Sequence, residues 1–186
     1  MRSPSERRAE QQKFLQIHGA FVAGDLAALQ AAVGDPSIVP NGPMPLAIGS
    51  CLEYAIYRSP RPFIRTLLEM GADAAPDQHD GFPPLIAALS ASRSQPGSPA
   101  RPDVPDILRL LLQFGADPDQ RGVNDYTALH MAVAEGNLDA VRILLDAGAD
   151  PGLRTRIDEY ETPLDMARKA GAEAILLCLK DAFPLR

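Results

Sequence analysis

The sequence predicts an all-helical fold, a stack of helix-turn-helix units, and three observations carry that expectation. The tripeptide Gly-Ala-Asp recurs at 71–73, 115–117 and 148–150. Each copy follows directly on an apolar run, RTLLEM, RLLLQF or RILLDA, of the kind that forms the buried stripe of a helix. The composition is rich in small Ala and unbranched Leu, with aromatics at 5% and no tryptophan, which suits thin, closely spaced helices. A fixed period of this size marks a solenoid, in which each unit covers the apolar flank of the next.

The elements follow in chain order. Residues 1–13 carry Arg2, Arg7, Arg8 and Lys13 without apolar periodicity and are expected to form a flexible basic arm. The first unit, 14–45, places Ile17, His18, Ala20, Gly24 and Leu29 at repeat positions and then enters DPSIVPNGPMP, a Pro-rich link unlike a hairpin loop. In the second unit, 46–81, the stretch Ser50–Asp73 aligns without a gap on Thr127–Asp150 of the fourth unit, 126–160. That register puts turns at Pro60 and Gly136, and an apolar face at Val141, Leu144 and Leu145. Gly71, Gly115 and Gly148 become left-handed helix stops. The last two Gly-Ala-Asp copies are 33 residues apart and the first two 44, so the third unit, 82–125, holds an insertion at Ser92–Pro102, rich in Ser, Pro and Gly. A fifth unit, 161–183, and a short tail, 184–186, end the chain.

TALH and TPLD at helix starts, Gly-Asn-Leu at a turn and Leu-Leu before Gly-Ala-Asp-Pro resemble the motifs of the ankyrin-repeat family over about residues 14–180. The resemblance implies an ankyrin solenoid of about five units, the outer two atypical, with hairpin-like loops projecting from the helices and a concave face that holds another protein. It also implies that His18 and His130, at the position of the family's TPLH histidine, hydrogen-bond neighbouring loop backbone.

Chemistry is sparse. With three histidines and two cysteines, no residues fall into a metal-ligand spacing, a phosphate loop or a nucleophile elbow, so neither a cofactor, a metal nor an enzymatic activity is expected. Cys51 and Cys178 are far apart in helical contexts and read as buried thiols. The net charge of −6 opposes a phosphate backbone, which excludes nucleic acid as the expected partner. No run of about 18 apolar residues predicts a membrane span, and a cytoplasmic location is the default.

In the repeat register the positions free of core duty on the concave face include Tyr57, Arg58, His79, Phe82, Arg121, Tyr126 and Glu135, and these are the expected partner contacts. Phe82 and Tyr126 stand at loop ends where the repeat needs no aromatic, as does Tyr160. They serve either as interface anchors or as rings packed on the next loop. Asp77, Asp80, Asp119 and Asp125 nearby favour a partner with a basic or mixed-charge patch. A monomer is expected, with a weak dimer through the apolar last helix around Leu177 as the alternative.

Overall fold

The computed structural model describes residues 3–47, 49–76, 82–94, 100–122, 125–156 and 160–182. Among them every regular element is helical. The chain divides into two compact bodies, the first running to Asp73 and the second including Ala74 and the chain from Phe82 onward.

The first body holds α1 (Pro4–Ala23), α2 (Leu26–Val33), α3 (Cys51–Arg58) and α4 (Arg61–Glu69). Residues 4–13 are helical, contrary to the flexible arm expected from their polarity. Ser3 and Glu6 form a reciprocal capping box, and Pro4 occupies the first turn, where its missing N–H costs nothing. Only the second half of α1 buries side chains, Ile17, Ala20 and Phe21, so the first half is held by its cap rather than by a core. Phe21 sits between Tyr54 of α3 and Phe63 of α4, with ring centroids 4.8 and 6.0 Å away.

The Pro-rich link after α2 is two short 3-10 turns, Pro36–Ile38 and Pro45–Ala47, with Val39 and Met44 buried. Asn41 in this link donates to the Gly71 carbonyl at 2.7 Å and accepts from Asp73 N–H at 2.9 Å. In the second body, Asp119 accepts from Asp150 N–H at 2.9 Å. The aspartate N–H of two Gly-Ala-Asp turns is thus satisfied by a side chain from the preceding loop, and Asn41 performs for an irregular link what Asp119 does for a regular one.

The second body holds α5 (Pro84–Ser90), α6 (Val104–Gln113), α7 (Ala128–Ala134), α8 (Leu138–Asp146), α9 (Pro163–Lys169) and α10 (Glu173–Ala182). First helices pack on first helices, α5 on α7 and α7 on α9, and second helices likewise, α6 on α8 and α8 on α10. This ladder is what stacking of amphipathic pairs requires. Its core includes Leu89, Ile107, Leu108, Leu111, Leu129 and Leu144, all fully buried, each stabilising by about 2 kcal/mol. Along α8 the buried stripe is Ala140, Val141, Ile143 and Leu144. Ile143 therefore faces inward where the register expected Leu145, which is half-buried.

Gly71, Gly115 and Gly148 have φ of 89°, 87° and 89°, the left-handed conformation expected of helix stops. Cys51 is buried in α3, and burial pushes its thiol up to about 12. Cys178 is half-buried. A thiol reagent at neutral pH is expected to label Cys178 in the native protein and Cys51 only on unfolding, because the thiolate is the reacting form. Mass spectrometry of the native, labelled protein checks this.

Candidate partner-binding face

The loops that precede first helices are built from backbone turns and tied to one another by charged side chains. Between α6 and α7, Gly122 N–H donates to the Tyr126 carbonyl at 2.8 Å and Asp125 N–H to the Gly122 carbonyl at 3.1 Å. Between α8 and α9, Thr155 N–H donates to the Glu161 carbonyl at 3.1 Å. Gly122 packs closely on α5, where a Cβ would lie 2.6 Å from Ile86 Cδ1 and that side-chain end would have to shift.

Arg121 joins these two loops. Its guanidinium donates to Asp125 Oδ2 at 2.7 Å, to the Asp125 carbonyl at 3.1 Å and to the Arg154 carbonyl at 3.0 Å. Asp125 also accepts from Arg156 N–H at 2.7 Å, and its φ of 62° is one that Asp tolerates. Gln120 makes the matching contact on the other side, its amide donating to the Pro76 carbonyl. The expected contact residue Arg121 is thus occupied in holding successive loops in register.

Behind the loop, Thr127 caps α7 and His130 is fully buried beneath it. Thr127 N–H lies 3.3 Å from His130 Nδ1, and the Thr127 hydroxyl lies 2.9 Å from the same nitrogen. Nε2 faces the Glu161 carbonyl at 3.3 Å. A carbonyl can only accept and an amide N–H only donate, so the proton sits on Nε2 and Nδ1 accepts. His130 therefore links the start of α7 to the backbone of the next loop, as the family resemblance implied. His18 does something else: its Nδ1 meets the Tyr54 hydroxyl at 2.9 Å and its ring stacks on Phe14. The irregular link after the first unit is accompanied by this side-chain partner in place of a loop carbonyl.

Burial lowers the His130 pKa, the Arg121 charge adds to the effect, and the Glu161 carbonyl opposes it. The folded value lies below the ordinary 6.5, so the unfolded chain takes up the proton first. Stability from this residue is complete above pH 6.5 and is lost as pH falls from there through the depressed folded value. Thermal melts are expected to show a decline over that window that is shallower in His130→Gln.

The other expected contact residues separate into classes. Phe82, just before α5, is 41% exposed. Tyr126 is half-buried, its ring edge-on to His130 of its own unit with centroids 5.6 Å apart. Glu135, expected at an exposed rim, has a side chain only 6% exposed beside Arg93. Tyr57 and Arg58, half-buried at the end of α3, belong to the first body. His79, Asp77 and Asp80 lie outside the described residues. Asp119 is half-buried, and burial raises its pKa. Tyr160 is 60% exposed with φ of 54°, its carbonyl accepting from Arg154 at 2.9 Å. The loop-register role of Arg121 was missed by the sequence reading, although its 33-residue spacing from Arg154 was a visible signal.

The family model described as "Ankyrin repeats (3 copies)" matches residues 98–183. The chain belongs to the ankyrin-repeat family. The chain is 32% identical over 124 residues, 66% of its length, to "Ankyrin repeat protein nuc-2" of Neurospora crassa, covering 10% of that protein. It is 33% identical over 123 residues, 66% of this chain, to "Ankyrin repeat and SOCS box protein 16" of Mus musculus, covering 26% of it. A third similarity, 35% over 77 residues and 41% of this chain, is to "Potassium channel KOR2" of Oryza sativa, covering 10% of it. The chain thus spans a tenth to about a quarter of these relatives, whose names describe unrelated proteins. The repeats matched in this chain are a protein–protein interaction module. Among the described residues no helix is long and apolar enough to cross a membrane, and no His, Cys, Asp and Glu cluster is placed to hold a metal ion.

Proposed function

We propose that this ankyrin chain is a non-enzymatic scaffold, an adaptor, inhibitor or regulator, that holds a partner protein on the loop-and-first-helix face of its second body, in the cytoplasm. The observation that carries the reading is Phe82. It is a large aromatic left 41% exposed immediately before a helix whose next six residues from Pro84 are buried. Such a side chain offers an interface an apolar anchor on a rigid base. Tyr126 stands at the equivalent position one unit on and shares the face, while Arg121 supports it by fixing the loops. Tyr57 and Arg58 are proposed as contacts of the first body. The net charge of −6 favours a protein with a basic or mixed-charge patch over nucleic acid.

The test is affinity capture from the source cell with wild-type protein and with Phe82→Ala, read by mass spectrometry. The reading expects one or a few proteins enriched by the wild type and depleted by the variant. Identical capture by both would remove Phe82 from the face. A second reading, self-association through α10, is favoured by Leu177, which is 64% exposed. Sedimentation velocity at rising concentration, with Leu177→Lys alongside, separates the two.

A further inference from the structure

The insertion after α5 is fastened at its two ends. At its exit, Ser92 N–H donates to the Leu89 carbonyl at 2.9 Å and Arg93 N–H to the Ser90 carbonyl at 3.4 Å. At its return, Arg101 N–H donates to the Ala91 carbonyl at 2.8 Å, and the Arg101 guanidinium makes a two-pronged contact with Asp103, both bonds 2.9 Å. These bonds close the insertion on its own unit.

A further contact reaches the next unit. Glu135, directly after α7, accepts from the Ser92 hydroxyl at 3.3 Å through Oε2, and Oε1 lies 3.3 Å from Arg93 Nε. Oε1 is buried and has no hydrogen bond among the described residues, so the Arg93 guanidinium meets it by charge alone. The burial is one-sided: the carboxylate side chain is 6% exposed and the arginine 65%. A carboxylate taken out of water with one hydroxyl and one outward-lying cation gains little for the stack itself. Its stabilising contacts are to the insertion stem.

We propose that Glu135 is a clasp, a positioning residue that straps the stem of the 92–102 insertion onto the following repeat. The clasp fixes where the chain leaves the stack at Ser92 and Arg93. It also occupies Glu135, which the repeat register would otherwise offer to a partner. Burial raises the Glu135 pKa, with Arg93 and Ser92 opposing, so at neutral pH the fold bears a cost that a neutral amide would remove.

The test is amide hydrogen exchange on the full chain, wild type against Glu135→Gln and Arg93→Gln, with melting temperature as the control. The amides of Ser92, Arg93 and Arg101 report the strap directly. Glu135→Gln, whose neutral amide ends the attraction to Arg93 and weakens the charge-assisted bond from Ser92, is expected to speed their exchange about fivefold, with α7 and α8 protected as before and the melting temperature unchanged or raised. Arg93→Gln is expected to act on Ser92 and Arg101 in the same direction and less strongly, because the Ser92 bond to Glu135 remains. Unchanged exchange at the stem in Glu135→Gln would overturn the clasp. So would a fall in melting temperature with exchange spreading through α5–α8, the signature of a residue that serves the stack. No effect of Arg93→Gln would remove the guanidinium from the device and overturn the pairing.

Discussion

Ending the chain after Gly152 is expected to lower the melting temperature by roughly 10 °C, from a loss of at least about 3 kcal/mol. The deletion removes α9 and α10, which pack on α7 and α8, and with them the buried Ala167, Ile175 and Leu179. It also removes the Glu161 carbonyl that accepts from His130. A terminal unit that merely decorated the stack would leave the melting temperature unchanged. Thermal melts followed by helical circular dichroism decide between the two.

The second large effect is expected at Gly24, the stop of α1. Its φ is 68°, and a Cβ there would lie 2.9 Å from Pro60 Cγ and 3.2 Å from Phe63 Cβ. Gly24→Ala therefore combines left-handed strain with overlap against a ring and a core side chain, and is expected to cost about 3 kcal/mol. Gly148, at φ of 89°, has nothing within 4 Å of the same Cβ, so Gly148→Ala bears the strain alone, about 1 kcal/mol. Urea unfolding of the two variants should rank them in that order. Equal losses would mean that contact with Pro60 and Phe63 contributes nothing.

The repeat was legible because three glycines must turn left-handed after apolar runs, and that demand is written in the chain at 71, 115 and 148. Thr127 and His130 were legible for the same reason, since cap and buried histidine recur with the register. What was not legible depends on contacts outside any register. The first half of α1 has no apolar period, and only the Ser3–Glu6 capping box marks it as helix. The Asn41 bridge comes from an irregular link. Glu135 was expected at a rim because its repeat position is usually open. The residues that cover it, Ser92 and Arg93, belong to an insertion that the period says nothing about. Arg121 and Tyr126 were rightly seen as loop residues, but one is held by three bonds to loop atoms and the other by the His130 ring. Phe82 keeps the exposure that an anchor needs, as does Tyr160.

Whether a partner is held on that face is decided by calorimetric titration of the captured partner into Phe82→Ala and Arg142→Ala, both first shown to keep the wild-type helical spectrum. Arg142 lies on the outer helix α8 with its side chain 60% exposed and serves as the control. Phe82→Ala is expected to weaken binding by about 2 kcal/mol, roughly thirtyfold in Kd, while Arg142→Ala leaves it unchanged. Binding lost in Arg142→Ala and intact in Phe82→Ala would move the partner to the opposite side of the stack.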